Sequence, residues 1–108
     1  MMHLPDLPEI EAAAQVVYRH FQATPQYRWA LLSERLGTDC WVKHENHTPV
    51  GAFKIRGGLT YFEQLAQRGA LPREVISATR GNHGQSIGWA ARAHGVACTI
   101  VVPHGNSL

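Results

Sequence analysis

Val75-Ile76-Ser77-Ala78-Thr79-Arg80-Gly81-Asn82-His83-Gly84-Gln85 is the stretch that decides the fold. Its first four residues read as a short buried strand, a small glycine-containing turn follows, and a helical pattern opens behind it. Ile87, Ala90, Ala91 and His94 form the inward stripe of that helix and Gly95 closes it. A second apolar strand, Ala97 to Val102, ends at Pro103. The turn between strand and helix presents several backbone N–H groups with no intrahelical acceptor, backed by the positive end of the helix dipole, so it can hold a carboxylate. Asn82 adds a side-chain donor and Thr79 a hydroxyl. The competing reading is an ordinary strand-to-helix turn with Asn82 as N-cap, a position that favours this residue type. Gly84 and Gly88, one turn apart, would let the helix lie close to the sheet or to a ligand; otherwise each costs the helix about 1 kcal/mol.

Upstream, Thr48-Pro49-Val50-Gly51-Ala52-Phe53-Lys54-Ile55-Arg56-Gly57-Gly58 sets a lysine in a largely apolar, glycine-flanked run. The run opens a predicted helix from Phe53 to Gln67 whose inner face carries Leu59, Phe62, Leu65 and Ala66, with Gly69 and Pro72 marking its end. The chain holds one other lysine, Lys43, against eight arginines. Desolvation can strip a lysine of its proton so that the neutral amine attacks a carbonyl, whereas guanidinium stays charged. Lys54 is therefore a candidate Schiff-base lysine. The competing reading is a surface lysine on the first turn of an amphipathic helix.

Cys40 to Glu45 alternates apolar and polar residues and reads as a strand, with Lys43 expected to point away from Trp41. With the two later strands and the helices between them, it gives the order strand, helix, strand, helix, strand. That order predicts an α/β fold of βαβ units on a parallel sheet. Nearer the amino terminus, Leu31, Leu32, Leu36 and Gly37 predict a short helix or turn ending at the glycine, and Thr24-Pro25 breaks the segment before it. Leu7, Ile10, Ala14, Val17 and Phe21 recur at helical spacing and predict an amphipathic helix from Pro8 to His20. A sheet of three parallel strands still needs neighbours and covering helices. The last residues, His104 to Leu108, fall in the loop after the third strand, so the sequence is expected to be an amino-terminal fragment.

A length of 108 residues fits one domain. The formal charge of +2 is small and the basic residues are dispersed, which argues against nucleic acid or an anionic membrane as partner. Cys40 and Cys98 lie far apart without zinc-ligand spacing, and read as small buried hydrophobes in a reducing cytoplasm. No apolar run approaches the roughly 20 residues of a membrane span, and the first residues lack a signal peptide's charged and apolar regions. His44 and His47 stand across a strand end and a loop with no third ligand in sight, so no metal site is expected.

Taken together, the lysine run and the asparagine turn resemble the fold type II (tryptophan synthase β-like) pyridoxal-phosphate enzymes, specifically the threonine/serine dehydratase and serine racemase group. Ala52-Phe53-Lys54-Ile55-Arg56-Gly57 is similar to that group's Ser-Phe-Lys-Ile-Arg-Gly, and Arg80-Gly81-Asn82-His83-Gly84-Gln85 to its Ser-Gly-Asn-His-Gly/Ala-Gln loop. Ile55, where cysteine and threonine synthases carry aspartate, favours the dehydratase branch. Two positions depart from the pattern: Ala52 replaces the usual serine, and Thr79-Arg80 replaces a commonly small pair.

The resemblance implies pyridoxal 5′-phosphate as cofactor, held by Lys54, with Phe53 packed near its ring and Asn82 donating to its ring hydroxyl oxygen. It implies a substrate carboxylate bound by Thr79, Arg80, Gly81, Asn82 and His83, and Lys54 as the base that removes the α-proton. The implied reaction converts a β-hydroxy amino acid such as threonine or serine to a 2-oxo acid and ammonia, in a cytoplasmic homo-oligomer. A racemase or a lyase for hydroxylated acidic amino acids stays open, since Arg80 could clamp a second carboxylate or simply face solvent. So does a non-catalytic module that binds an amino acid through the helix-start turn. Residues 1–45 are expected to belong to a large domain and 46–108 to a small one. The family's glycine-rich phosphate loop and the serine or cysteine facing the pyridine nitrogen would lie beyond this sequence, which is expected to be inactive alone.

Overall fold

The computed structural model describes residues 3–106. In chain order the elements are α1 (Leu7–Tyr18), β1 (Gln26–Arg28), α2 (Ala30–Leu36), β2 (Trp41–Lys43), a 3₁₀ turn at Glu45–His47, α3 (Lys54–Gln67), β3 (Glu74–Ala78), α4 (Asn82–Ala93) and β4 (Ala97–Val101). The stretch from Val75 folds in the order read, strand, helix, strand: β3 and β4 pair in parallel, Glu74 opposite Ala97 through to Ala78 opposite Val101, with α4 as the crossover.

The core lies between that pair and the two long helices. Ile55, Leu59 and Phe62 of α3 meet Ala90 and Ala91 of α4 and Val96, with Val75, Ile87 and Cys98 packed around them. Leu59 and Phe62 were expected on this face; Ile55 joins them one turn earlier, as the spacing of four requires. Two glycines let the backbones approach. A Cβ on Gly58 would collide with Ser86 Oγ and come within 3.0 Å of the Ser86 carbonyl oxygen. One on Gly84 would come within 2.6 Å of Thr79 Cγ2 and 3.0 Å of Ile100 Cγ2, so α4 does lie close to the sheet there. Gly88 faces open space and supports no such approach.

Several expectations are corrected. Cys40 to Glu45 supplies no strand to the parallel sheet. Its central residues form β2, which pairs antiparallel with β1, Tyr27 opposite Val42, and Trp29 N–H to the Cys40 carbonyl and His44 N–H to the Pro25 carbonyl extend the ladder. β1 went unread because its three residues, all exposed, carry no alternation. Trp41 and Lys43 share the exposed face of β2 with Val42 turned inward, because residues two apart in a strand lie on the same side. Val75 to Ala78 is not a buried strand: Ile76 is 72% exposed on the uncovered face of the two-stranded sheet. Cys40 and Cys98 are partly buried free thiols rather than fully buried ones.

At the amino terminus, Asp6 caps α1 in a reciprocal box: it accepts from Glu9 N–H at 2.9 Å, while Glu9 Oε2 accepts from Asp6 N–H at 2.9 Å. Val17 is the buried residue of α1, whereas Leu7 and Ile10, expected inward, are exposed. No described helix is long and apolar enough to cross a membrane. Among the described residues, no group of three or more His, Cys, Asp or Glu is placed to hold a metal ion.

Candidate active site

Thr48 makes the loop before α3. Its buried hydroxyl donates to the Ala52 carbonyl at 2.8 Å and accepts from the Ala52 N–H at 2.9 Å, closing the loop at both ends. Gly51 adopts φ 68°, a left-handed turn open to glycine at no steric cost, and its N–H returns to the Thr48 carbonyl. Phe53 then stands at the cap position and Lys54 is the first residue of α3.

The other side of this turn is held by charge. Arg56 forks onto Glu45, Nε to Oε2 at 2.6 Å and Nη2 to Oε1 at 2.9 Å, and its guanidinium lies 5.3 Å from the centre of the Phe21 ring. Thr24, buried, donates to the same carboxylate at 2.5 Å. Hydrogen bonds from Arg56 hold the Glu45 carboxyl below the usual glutamate value, and Glu45 in turn raises Arg56. Two segments 11 and 32 residues apart in sequence from Arg56 are thereby tied to the start of α3.

From α4, Ser86 donates its hydroxyl to the Lys54 carbonyl at 2.6 Å. The lysine main chain is thus fastened to the helix that carries the asparagine turn. Between them opens a cavity of about 510 Å³, a volume usual for small-molecule sites. Lys54, Gly57, Ser77, His83 and Ser86 border it, and Phe62, Val75 and Ile87 give it an apolar wall.

Lys54 itself is exposed, not enclosed in apolar surroundings; its Nζ lies 5.8 Å from the centre of the Phe53 ring, which is also exposed. Among the described residues no carboxylate pairs with it. Lys43 differs: its Nζ donates to the Thr24 carbonyl at 3.3 Å. His83 borders the lysine cavity, whereas Thr79, Arg80 and Gly81 border a second one of about 440 Å³ on the other side of the α4 start. Asn82 is exposed, borders neither cavity, and is not the N-cap. Gly81 takes that position without a side-chain cap, and its N–H donates to Thr79 Oγ1 at 3.2 Å.

Thr24, Glu45, Thr48, Arg56 and Ser86 escaped the sequence reading. Only Arg56, a charge one position from a buried isoleucine, carried a local signal; the others join segments too distant for any periodicity to reveal.

A parallel strand–helix–strand unit with a lysine turn facing the helix start is the arrangement that the resemblance to the fold type II pyridoxal-phosphate enzymes implies. The profile described as "Pyridoxal-phosphate dependent enzyme" matches residues 17–108, and the chain belongs to this family. It is 38% identical over 89 residues to the biosynthetic L-threonine dehydratase of Haemophilus influenzae, covering 81% of this chain and 17% of that one. It is 32% identical over 102 residues to the L-threo-3-hydroxyaspartate ammonia-lyase of Saccharomyces cerevisiae, covering 94% of this chain and 31% of that one. Among solved structures, a pyridoxal 5′-phosphate-dependent aspartate racemase superposes with TM-score 0.83 at 28% identity, over 96% of this chain and 34% of its own. The chain thus spans about a third or less of these relatives.

The residues present fit the family's cofactor in the part they supply. Among the described residues no ion pair occupies the Lys54 amine, the cavity beside it has an apolar wall against which an aromatic ring can lie, and the first turn of α4 offers N–H donors across from it.

Proposed function

We propose that this chain carries the lysine and carboxylate-binding portion of an amino-acid ammonia-lyase that converts a β-hydroxy amino acid, such as threonine or serine, to a 2-oxo acid and ammonia. The observation that carries the reading is the Ser86 to Lys54 bond, which sets an unpaired amine beside a cavity bordered by the start of α4. Lys54 would hold the cofactor covalently, with Phe53 beside the ring and Asn82 as a donor to its hydroxyl oxygen. Bound there, pyridoxal phosphate supplies an electron sink for negative charge developing at the substrate Cα. The N–H groups of Asn82 and His83, with the hydroxyl of Thr79 that the Gly81 N–H orients, would hold the substrate carboxylate at the positive end of α4. Lys54 Nζ would take the proton from Cα. The β-hydroxyl would leave as water carrying that proton from Nζ, and the enamine product would hydrolyse in water to the 2-oxo acid and ammonia. Residues 1–45 go with the large domain and 46–108 with the small one, in a cytoplasmic homo-oligomer whose remaining cofactor contacts come from elsewhere in the protein.

Arg80 favours a second reading, a lyase or racemase for acidic amino acids. It stands at the turn that binds the α-carboxylate and borders the second cavity, where a guanidinium could take a side-chain carboxylate. Kinetics with threonine, serine and 3-hydroxyaspartate separate the two: loss of activity toward the acidic substrate alone in Arg80→Ala selects the second.

The test of the main reading is borohydride trapping of cofactor in the full-length protein, with the labelled peptide identified by mass. Label is expected on Lys54, absent in Lys54→Ala and unchanged in Lys43→Ala. Label that survives Lys54→Ala, or disappears in Lys43→Ala, overturns it, and a colourless full-length protein that binds an amino acid would instead select the non-catalytic module.

A further inference from the structure

Ser86 sits in the second turn of α4, almost fully buried, where packing alone would be satisfied by alanine. A buried helical serine commonly returns its proton to the carbonyl four residues back in its own helix. This one crosses to α3 and donates to the Lys54 carbonyl at 2.6 Å. The crossing is possible because Gly58 lacks a Cβ, which would otherwise occupy the space of the hydroxyl. Thr48 and Arg56 anchor the lysine turn to segments before it in sequence. Among the described residues, Ser86 is the polar tie between that turn and α4; the other one joining the two helices, His94 to Glu63 at 3.4 Å, lies at their far ends. Ser86 also stands one helical turn from Asn82 and shares the cavity edge with His83.

We propose that Ser86 is a positioning residue: its bond to the Lys54 carbonyl fixes the lysine main chain against the first turn of α4, and so sets where Nζ meets the cofactor relative to the carboxylate-binding N–H groups. The inference rests on Lys54 being the cofactor lysine. Its two sides behave differently under mutation. Loss of helix packing would weaken the whole core, whereas loss of this bond loosens one turn of α3 and changes the chemistry of the amine it carries.

The experiment uses the full-length protein, its Ser86→Ala variant, and Ser86→Cys as a second variant that keeps volume while weakening the donor. Three quantities are read: cofactor affinity, the pH midpoint of the visible absorbance of the lysine-bound cofactor, and hydrogen exchange of peptides covering the start and the end of α3. Ser86→Ala is expected to weaken cofactor affinity about fivefold, the worth of one buried hydrogen bond. It should also displace the absorbance midpoint and speed exchange at Lys54 to Gly58 while the end of α3 keeps its protection; Ser86→Cys should fall between the two proteins. Wild-type protein that traps no cofactor on Lys54 overturns the functional reading and this inference with it. Wild-type protein that does trap it, alongside variants with unchanged midpoint and affinity, or with exchange raised evenly along α3, overturns the inference alone.

Discussion

The α3–α4 pair on its parallel strands and the β1–α2–β2 hairpin are apolar in similar proportion, yet of the two only the first encloses large apolar side chains. Ile55, Leu59, Ala90 and Ala91 are fully enclosed, and Phe62 is 1% exposed. In the hairpin, Leu31 is 83% exposed and Trp29, Leu36 and Trp41 are also open, with Ser33 the buried residue of α2. The hairpin is held to the core by its base, where Thr24 and Glu45 meet Arg56. A polar joint therefore does for one region what packing does for the other. The lysine turn lies where the two meet, so its position depends on both.

The sharpest way to break the comparison is to truncate matched side chains. Phe62→Ala should lower stability by about 3–5 kcal/mol, the usual cost of emptying an enclosed aromatic site. Leu31→Ala should change it by less than about 0.5 kcal/mol, as exposed substitutions do. Denaturant titration of the full-length protein measures both, and equal losses would show that the hairpin is packed as firmly as the core.

Next in size is the joint. Arg56→Met removes two charge-assisted hydrogen bonds from a half-buried carboxylate and should cost about 2 kcal/mol. The loss should appear as faster hydrogen exchange in β1 and β2 rather than in α4. Protonation probes the same joint. The Glu45 carboxyl is held below its usual value of 4.5 by Arg56, so the folded state binds fewer protons than the unfolded one near that pH. The stability it contributes is complete above pH 4.5 and is lost as pH falls through its depressed folded value, while Arg56 stays charged throughout. Glu45→Gln should flatten that acid limb; a limb of unchanged steepness would assign it to other carboxylates. Gly58→Ala should cost about 1–3 kcal/mol, since the added methyl overpacks the α3–α4 crossing. The penalty should shrink in the Ser86→Ala background, where the colliding hydroxyl is absent.

The sequence made the core region legible and, in the hairpin, α2 ending at Gly37, but left β1 and the pairing of β2 opaque for one physical reason. Where a face is buried, the period of 3.6 or 2 writes itself into residue types, so Leu59, Phe62, Ala90 and Ala91 were placed on the correct faces before any coordinates. β1 buries nothing and left no such trace, and Cys40 to Glu45 consequently entered the parallel sheet in the reading although it pairs with β1. Of the proposed site, Lys54 and the turn from Thr79 to His83 could be nominated from sequence because each is a contiguous motif. Ser86 could not: its partner lies 32 residues away, and nothing in a helical serine announces which carbonyl it will reach.

The smallest effect concerns two helix starts, those of α1 and α4. α1 is closed by the Asp6 and Glu9 box, and Asp6→Ala should cost about 1 kcal/mol. α4 begins at Gly81 with no side-chain cap, and Asn82, now inside the helix and exposed, makes no capping bond whose loss could matter. Asn82→Ala should therefore leave stability within about 0.5 kcal/mol of wild type. In the proposed site the same substitution removes a donor to the cofactor, so affinity should fall and the absorbance titration should shift while cofactor remains trappable on Lys54. Neutral stability with altered titration assigns Asn82 to the cofactor. Normal affinity and titration would leave it an ordinary first-turn residue, contributing only its backbone N–H to the proposed carboxylate site.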